Sequence, residues 1–259
     1  METQTNGMRL EKLELSNFAQ FKGKQEIEFL DDSKITIIQG PNGSGKTTLL
    51  KAMKAGLGLE THDGGHEKPQ LKCNFDPAVI NNENQFLFFQ DGENLREIQD
   101  VNLLKFGMDP GFLEDVRTLF LKHSHKSRDL DITYDSEKFY MVRKDNSLHS
   151  PAMTEEYTLG ICILIALKQR LYPNSFLVFD APFHNVAQET KEMLCHMLLE
   201  YSSQLILLVT DTEYEGKISE DVFSEEIDSA RNIINNLNPA VSEYRLVTKE
   251  NKTKIEKRL

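Results

Sequence analysis

Ile35-Thr36-Ile37-Ile38-Gln39-Gly40-Pro41-Asn42-Gly43-Ser44-Gly45-Lys46-Thr47-Thr48 joins a β-branched run to a glycine-rich turn that ends on a lysine and two threonines. Ile35–Ile38 reads as a strand buried on both faces. From Gly40 to Thr47 the residues satisfy G-x-x-x-x-G-K-[ST] without departure. The glycines let the backbone fold tightly and turn successive N–H groups to one centre, where the positive end of the next helix adds to the attraction for phosphate. That helix is expected from Lys46 to about Ala55, stopped by Gly56 and Gly58. ATP is therefore expected to lie on Gly40, Pro41, Asn42, Gly43, Ser44, Gly45, Lys46, Thr47 and Thr48, with Lys46 at the β- and γ-phosphates and the Thr47 hydroxyl on Mg²⁺.

Outward from the loop, the chain alternates strand and helix. Residues 9–18 partly alternate and predict a strand, with a second at Gln25–Phe29 after a turn at Lys22-Gly23-Lys24. A strand is expected at Gln85–Phe89, a helix over about 111–123, and a hairpin from Asp129–Tyr134 and Lys138–Arg143 around Asp135-Ser136-Glu137. Thr154–Leu171 predicts a mostly buried helix. Phe176–Phe179 and Leu205–Val209 predict core strands, with a helix over about Ala187–Glu200 between them. The strand Phe176-Leu177-Val178-Phe179 ends on Asp180, where a carboxylate would serve the Mg²⁺ that Thr47 holds.

A chain of 259 residues with 39% hydrophobic residues can bury a substantial core. The whole of 1–259 is expected to fold as one domain. Cys73, Cys162 and Cys195 are odd in number and widely spaced, which points to a reducing compartment rather than a disulfide framework. His62/His66 and His123/His125 sit in polar stretches and read as surface histidines. No apolar segment follows the initial Met, and the longest near-continuous apolar run, Tyr157–Leu167, is too short to cross a bilayer. A cytoplasmic protein with no membrane partner is the expectation. The formal net charge of -11 gives no general attraction to DNA. A basic tail at 248–259, carrying Lys249, Lys252, Lys254, Lys257 and Arg258, is either solvated or a local contact for phosphate backbone.

In the order of these pieces the chain resembles the ATPase heads of the SMC, Rad50 and RecF group within the ABC ATPase class. The residues that carry the likeness are Leu10–Phe18 with Phe21-Lys22-Gly23, the loop GPNGSGKTTLL at 40–50, and FLVFDAPF at 176–183. The resemblance implies an α/β P-loop NTPase, ABC-ATPase head-like, with a mostly parallel central sheet and a small antiparallel N-terminal section. Residues 59–150 would be a compact insert where the group usually has a coiled-coil arm. It also implies nucleotide-dependent pairing, with ATP held between one subunit's phosphate loop and another's signature segment.

Several of the group's turnover residues have no match. Met153-Thr154-Glu155-Glu156-Tyr157 stands at the signature position, where Thr154 is expected to cap the helix while the glutamates would repel a γ-phosphate. Ala181 stands where a glutamate would polarise the attacking water. Ala187 falls near the D-loop aspartate, and Asp211 replaces the switch histidine. Asp211 and Glu213 are candidates for orienting water, and Gln90 is a candidate for the glutamine that couples to Mg²⁺.

Two readings from different classes follow. One is a slow or partner-assisted ATPase, in a homo- or hetero-oligomer whose second protein supplies the missing signature. The other is a non-hydrolysing module in which bound ATP holds an interface. A divergent P-loop kinase is a third reading, although Arg117 and Arg128 form no recognisable lid pattern. The resemblance places the process in DNA repair, chromosome maintenance or defence.

Overall fold

The computed structural model describes residues 7–60, 67–91, 110–124, 129–135, 138–183, 186–216 and 229–258. In chain order the elements begin with β1 (Leu10–Phe18), β2 (Phe21–Glu28), β3 (Ile35–Gln39), α1 (Lys46–Gly56), β4 (Gln70–Cys73) and β5 (Phe89–Asp91). Next come α2 (Pro110–His123), β6 (Leu130–Tyr134), β7 (Phe139–Arg143) and α3 (Met153–Leu171). The chain then runs through β8 (Phe176–Asp180), α4 (Gln188–Tyr201), β9 (Gln204–Val209), α5 (Asp211–Tyr214), α6 (Ala230–Asn236), β10 (Val241–Lys249) and β11 (Lys252–Arg258). His62, His66, His125, Arg128 and the hairpin turn at Ser136-Glu137 lie outside the described residues.

The chain forms two compact units: residues 1–92, 174–184 and 198–259 make the first, and 93–173 with 185–197 the second. In the first, nine strands form one sheet in the order β4-β1-β2-β11-β10-β3-β9-β8-β5. From β10 to β5 every neighbour is parallel, while β1 pairs antiparallel with β2 and β4. Every residue of β3, β8 and β9 is buried, as a strand covered on both faces requires, whereas β1 alternates. Each fully buried Leu or Ile contributes about 1.5–3 kcal/mol, so these three strands anchor the unit.

Three local expectations fail in this unit. Lys22-Gly23-Lys24 is not a turn but part of β2, which starts at Phe21 and pairs with β1 through Lys24 and Ser16. The basic run at the C-terminus is not a tail: β11 pairs with β10 from Glu243–Arg258 to Lys249–Lys252 and sets Thr253 beside Phe21 of β2. Thr253 is buried while Lys252 and Lys254 remain exposed, so a half-buried strand carries its charges outward. The apolar stretch at 85–89 is not one strand. Gln85–Leu87 is a 3₁₀ turn, entered through the Asn81 and Asn84 side-chain bonds to backbone, and only Phe89–Asp91 joins the sheet.

In the second unit, α2 packs on α3 and on β6 of the β6–β7 hairpin. Phe112, Val116 and Phe120 form the buried face of α2, and the Phe112 ring meets Phe139 of β7 at 6.1 Å. Arg117 ties this helix to the hairpin through Asp131 at 2.6 Å. In α3, Tyr157–Lys168 is buried without interruption. Thr154 is not its cap. Ala152 occupies that position, and the Glu155 carboxylate reaches back to accept the Ala152 N–H at 2.8 Å, leaving the Thr154 carbonyl to the Thr158 hydroxyl. Among the described residues no helix is long and apolar enough to cross a membrane.

Candidate functional site

The phosphate loop leaves the C-terminal end of β3 and enters α1 at Lys46. Its path depends on glycine. Gly45, the residue before the helix, has φ 104°, and a Cβ there would lie 2.4 Å from Gln20 Nε2 and 2.9 Å from Phe21 Cζ. At Gly40 a Cβ would meet Ser44 Oγ at 2.5 Å. The Ser44 hydroxyl is buried and has no hydrogen-bond partner among the described residues. Such a group costs about 1–3 kcal/mol when left unpaired, so it fits a ligand that brings acceptors.

Lys46 is 7% exposed and donates to the loop's own carbonyls, Gly40 O at 2.9 Å and Pro41 O at 3.0 Å. Burial pushes its ammonium below its ordinary pKa, against the pull of Asp180, Glu213 and Asp211, in that order of strength. Thr47 Oγ1 donates to Asp180 Oδ2 at 2.7 Å, joining two residues 133 apart in the chain. The register of the sheet explains this: β3 and β8 flank β9 in parallel, so α1 begins at the same sheet end where β8 stops. Thr48 Oγ1 lies 3.4 Å from Gln20 Oε1. Nucleotide phosphates fit this cradle of glycine backbone, buried hydroxyl and lysine, and a hydroxyl beside a carboxylate is a donor set suited to a hard divalent cation.

The remaining candidates each make contacts of their own. Asp211 Oδ1 accepts from Gln39 Nε2 at 2.7 Å and lies 3.9 Å from Arg245. Gln90, buried in β5, donates its side-chain amide to the Phe86 carbonyl. Ala181 has φ 51° and is held by its N–H on the Leu208 carbonyl at 2.9 Å. In the second unit, Glu155 Oε2 takes both the Ala152 N–H and His149 Nε2, the latter at 2.9 Å. Ala187 is exposed just before α4. Sequence reasoning passed over Gln39 and Gln20. A polar residue closing an otherwise apolar strand was the available signal for Gln39; for Gln20 there was none.

A family model described as an AAA domain matches residues 12–259. This chain belongs to that family. Within it, the chain is a nucleotide-binding ATPase head of the SMC, Rad50 and RecF type. It is 27% identical over 198 residues to the Structural maintenance of chromosomes protein 1 of Saccharomyces cerevisiae, covering 76% of this chain and 14% of that protein. To the DNA replication and repair protein RecF of Chlorobium phaeobacteroides it is 46% identical over 46 residues, 18% of this chain and 12% of that protein. The chain thus spans 14% or less of these relatives' length. Its fold is similar to that of a solved Smc head from Pyrococcus furiosus, which was determined with an extended coiled coil and bound to the C-terminal domain of ScpA. That likeness has a TM-score of 0.62 at 11% identity, over 97% of this chain and 96% of that one. The head architecture, a mostly parallel sheet with an antiparallel section, follows from the family and the fold together.

Proposed function

We propose that this head binds MgATP on Gly40–Thr48 and uses the bound nucleotide to set an interface with a second protein or a second copy of itself. The observation that carries the reading is the 2.7 Å contact between Thr47 and Asp180, which puts a hydroxyl and a carboxylate where one cation could take both. The family model runs across both units, from 12 to 259, which supports reading 1–259 as one head-type domain. Residues 59–150 then stand in place of an arm. Turnover is slow unless another residue takes the proton from water, because Ala181 has no group that can. The ScpA-bound Smc head supports a protein partner, and the names of the sequence relatives support a role in chromosome maintenance or repair. Titration of ATP with and without Mg²⁺ tests the site. Asp180→Asn should remove most of the Mg²⁺-dependent gain in affinity; an unchanged Mg²⁺ dependence rejects the cation role.

A non-hydrolysing module is the second reading, favoured by the α3 start. There Glu155, at the position that the resemblance assigns to the signature, is held by Ala152 and His149 of its own chain. Under it, ATP drives complex formation and leaves intact. Single-turnover phosphate release at a rate matching complex dissociation would rule it out.

A further inference from the structure

Ala181 offers no carboxylate, yet two acids stand just past the neighbouring strand, at Asp211 and Glu213. They differ in how far they are engaged. Asp211 is one-third exposed and already meets Gln39 and Arg245. Glu213 is 6% exposed. One of its oxygens, Oε2, is fixed by the Thr210 N–H at 2.8 Å, and the Glu213 N–H returns to the Thr210 hydroxyl at 3.1 Å. The other, Oε1, is buried and has no hydrogen-bond partner among the described residues. The helix that carries Glu213 begins just past β9, whose last residue pairs with Gln39 and accepts the Gly40 N–H at 3.1 Å, so this carboxylate follows directly on the strand beside the first residue of the phosphate loop. A rigid, buried carboxylate with one unused acceptor next to that loop has the form of a general base, whose position must be fixed before its basicity matters.

We infer that Glu213 takes the proton of the attacking water when ATP bound at this loop is hydrolysed, in place of the group missing at Ala181. The inference rests on the loop being an ATP site. The water oxygen bonds to the γ-phosphorus while the bond from that phosphorus to the β,γ-bridging oxygen breaks, and ADP leaves with the electron pair. One water proton passes to Glu213 Oε1 and then to solvent; the other stays on the released phosphate.

A cap alone would explain the Oε2 contacts, and Glu213→Gln separates the two roles because glutamine can still accept the Thr210 N–H. The experiment measures phosphate release at saturating ATP and the affinities for ATP and ADP, in wild type, Glu213→Gln, Thr210→Val and Lys46→Ala. The expected result for Glu213→Gln is a kcat lower by about 10²-fold with KM little changed. Its preference for ATP over ADP should rise severalfold, because the γ-phosphate loses a like-charged neighbour. Thr210→Val weakens the same cap from the other side and should keep most of the turnover. Unchanged turnover in Glu213→Gln, equal losses in the Gln and Val variants, or no turnover by wild type that binds ATP would each overturn the assignment. Should wild type bind ATP no better than Lys46→Ala, the failure belongs to the ATP site itself.

Discussion

The start of α1 and the start of α3 are both helix N-termini, and they are built from opposite materials. Gly45 and Lys46 open α1, with no acidic residue in the first turn; Glu155 and Glu156 occupy the first turn of α3. At α1 the helix opens on a glycine-lined loop, with Lys46 as its first residue and the Asp180 carboxylate on the Thr47 hydroxyl. At α3 the helix dipole is answered from within the chain, by Glu155 on the Ala152 N–H. The first end offers its N–H groups to a ligand, and the second is satisfied by its own glutamate. On the proposed reading, the helix that stands at the signature position is capped from within the chain.

The largest effect should come from Lys46→Ala. Among the described residues, the Lys46 ammonium is bonded to carbonyls of its own loop, which it can exchange for phosphate oxygens. Each charge-assisted hydrogen bond is worth about 1.5–3 kcal/mol, and losing two predicts an ATP affinity lower by roughly 10²–10⁴-fold. Equilibrium binding of a fluorescent ATP analogue would measure it. A loss below about threefold would mean that the loop does not use its lysine, and the contrast with α3 would collapse.

Next in size is Gly45→Ala, which attacks the cradle rather than the charge. At φ 104° an alanine is strained, and its Cβ would press on Gln20 and on the buried Phe21 ring. The expected cost is about 1–3 kcal/mol of stability, read as a lower urea midpoint, together with weaker ATP binding. On the α3 side, Glu155→Ala should cost about 1 kcal/mol, as the loss of a helix cap does, with ATP affinity unchanged. If Glu155→Ala alters the affinity of the isolated chain for ATP, then α3 touches the nucleotide from its own subunit and is not simply a closed cap.

How much of this was legible beforehand divides along the same line. The loop and Asp180 could be read because their signals are local: eight residues in fixed spacing, and an apolar strand that stops on an acid. Their meeting at 2.7 Å follows once both strands flank β9. The β11 strand was hidden because Lys-Thr-Lys-Ile-Glu-Lys-Arg has the composition of a solvated tail. Its structure comes from pairing along β10, a non-local cause with only Thr253 as the buried clue. The cap of α3 was misplaced for a related reason. Threonine is the better capping residue in isolation, but Glu155 can reach the Ala152 N–H and His149 together, and the helix starts one residue earlier.

The smallest expected effect is the most discriminating one. Ala181→Glu restores a carboxylate where the group's heads have one, and the left-handed backbone there strains a glutamate no more than the present alanine. If the head lacked any base, this substitution would raise turnover by about 10²–10⁴-fold. With Glu213 already taking the proton, a second carboxylate adds little. Turnover should then change by less than about threefold, under 1 kcal/mol in the barrier. The same substitution placed in Glu213→Gln should recover activity, because the new carboxylate then has no competitor. A large gain in the wild-type background would show that the site was waiting for its base and that Glu213 is only a cap. A small gain alone, followed by rescue in the double variant, would show that the chain moved the function from the end of β8 to the residue past β9.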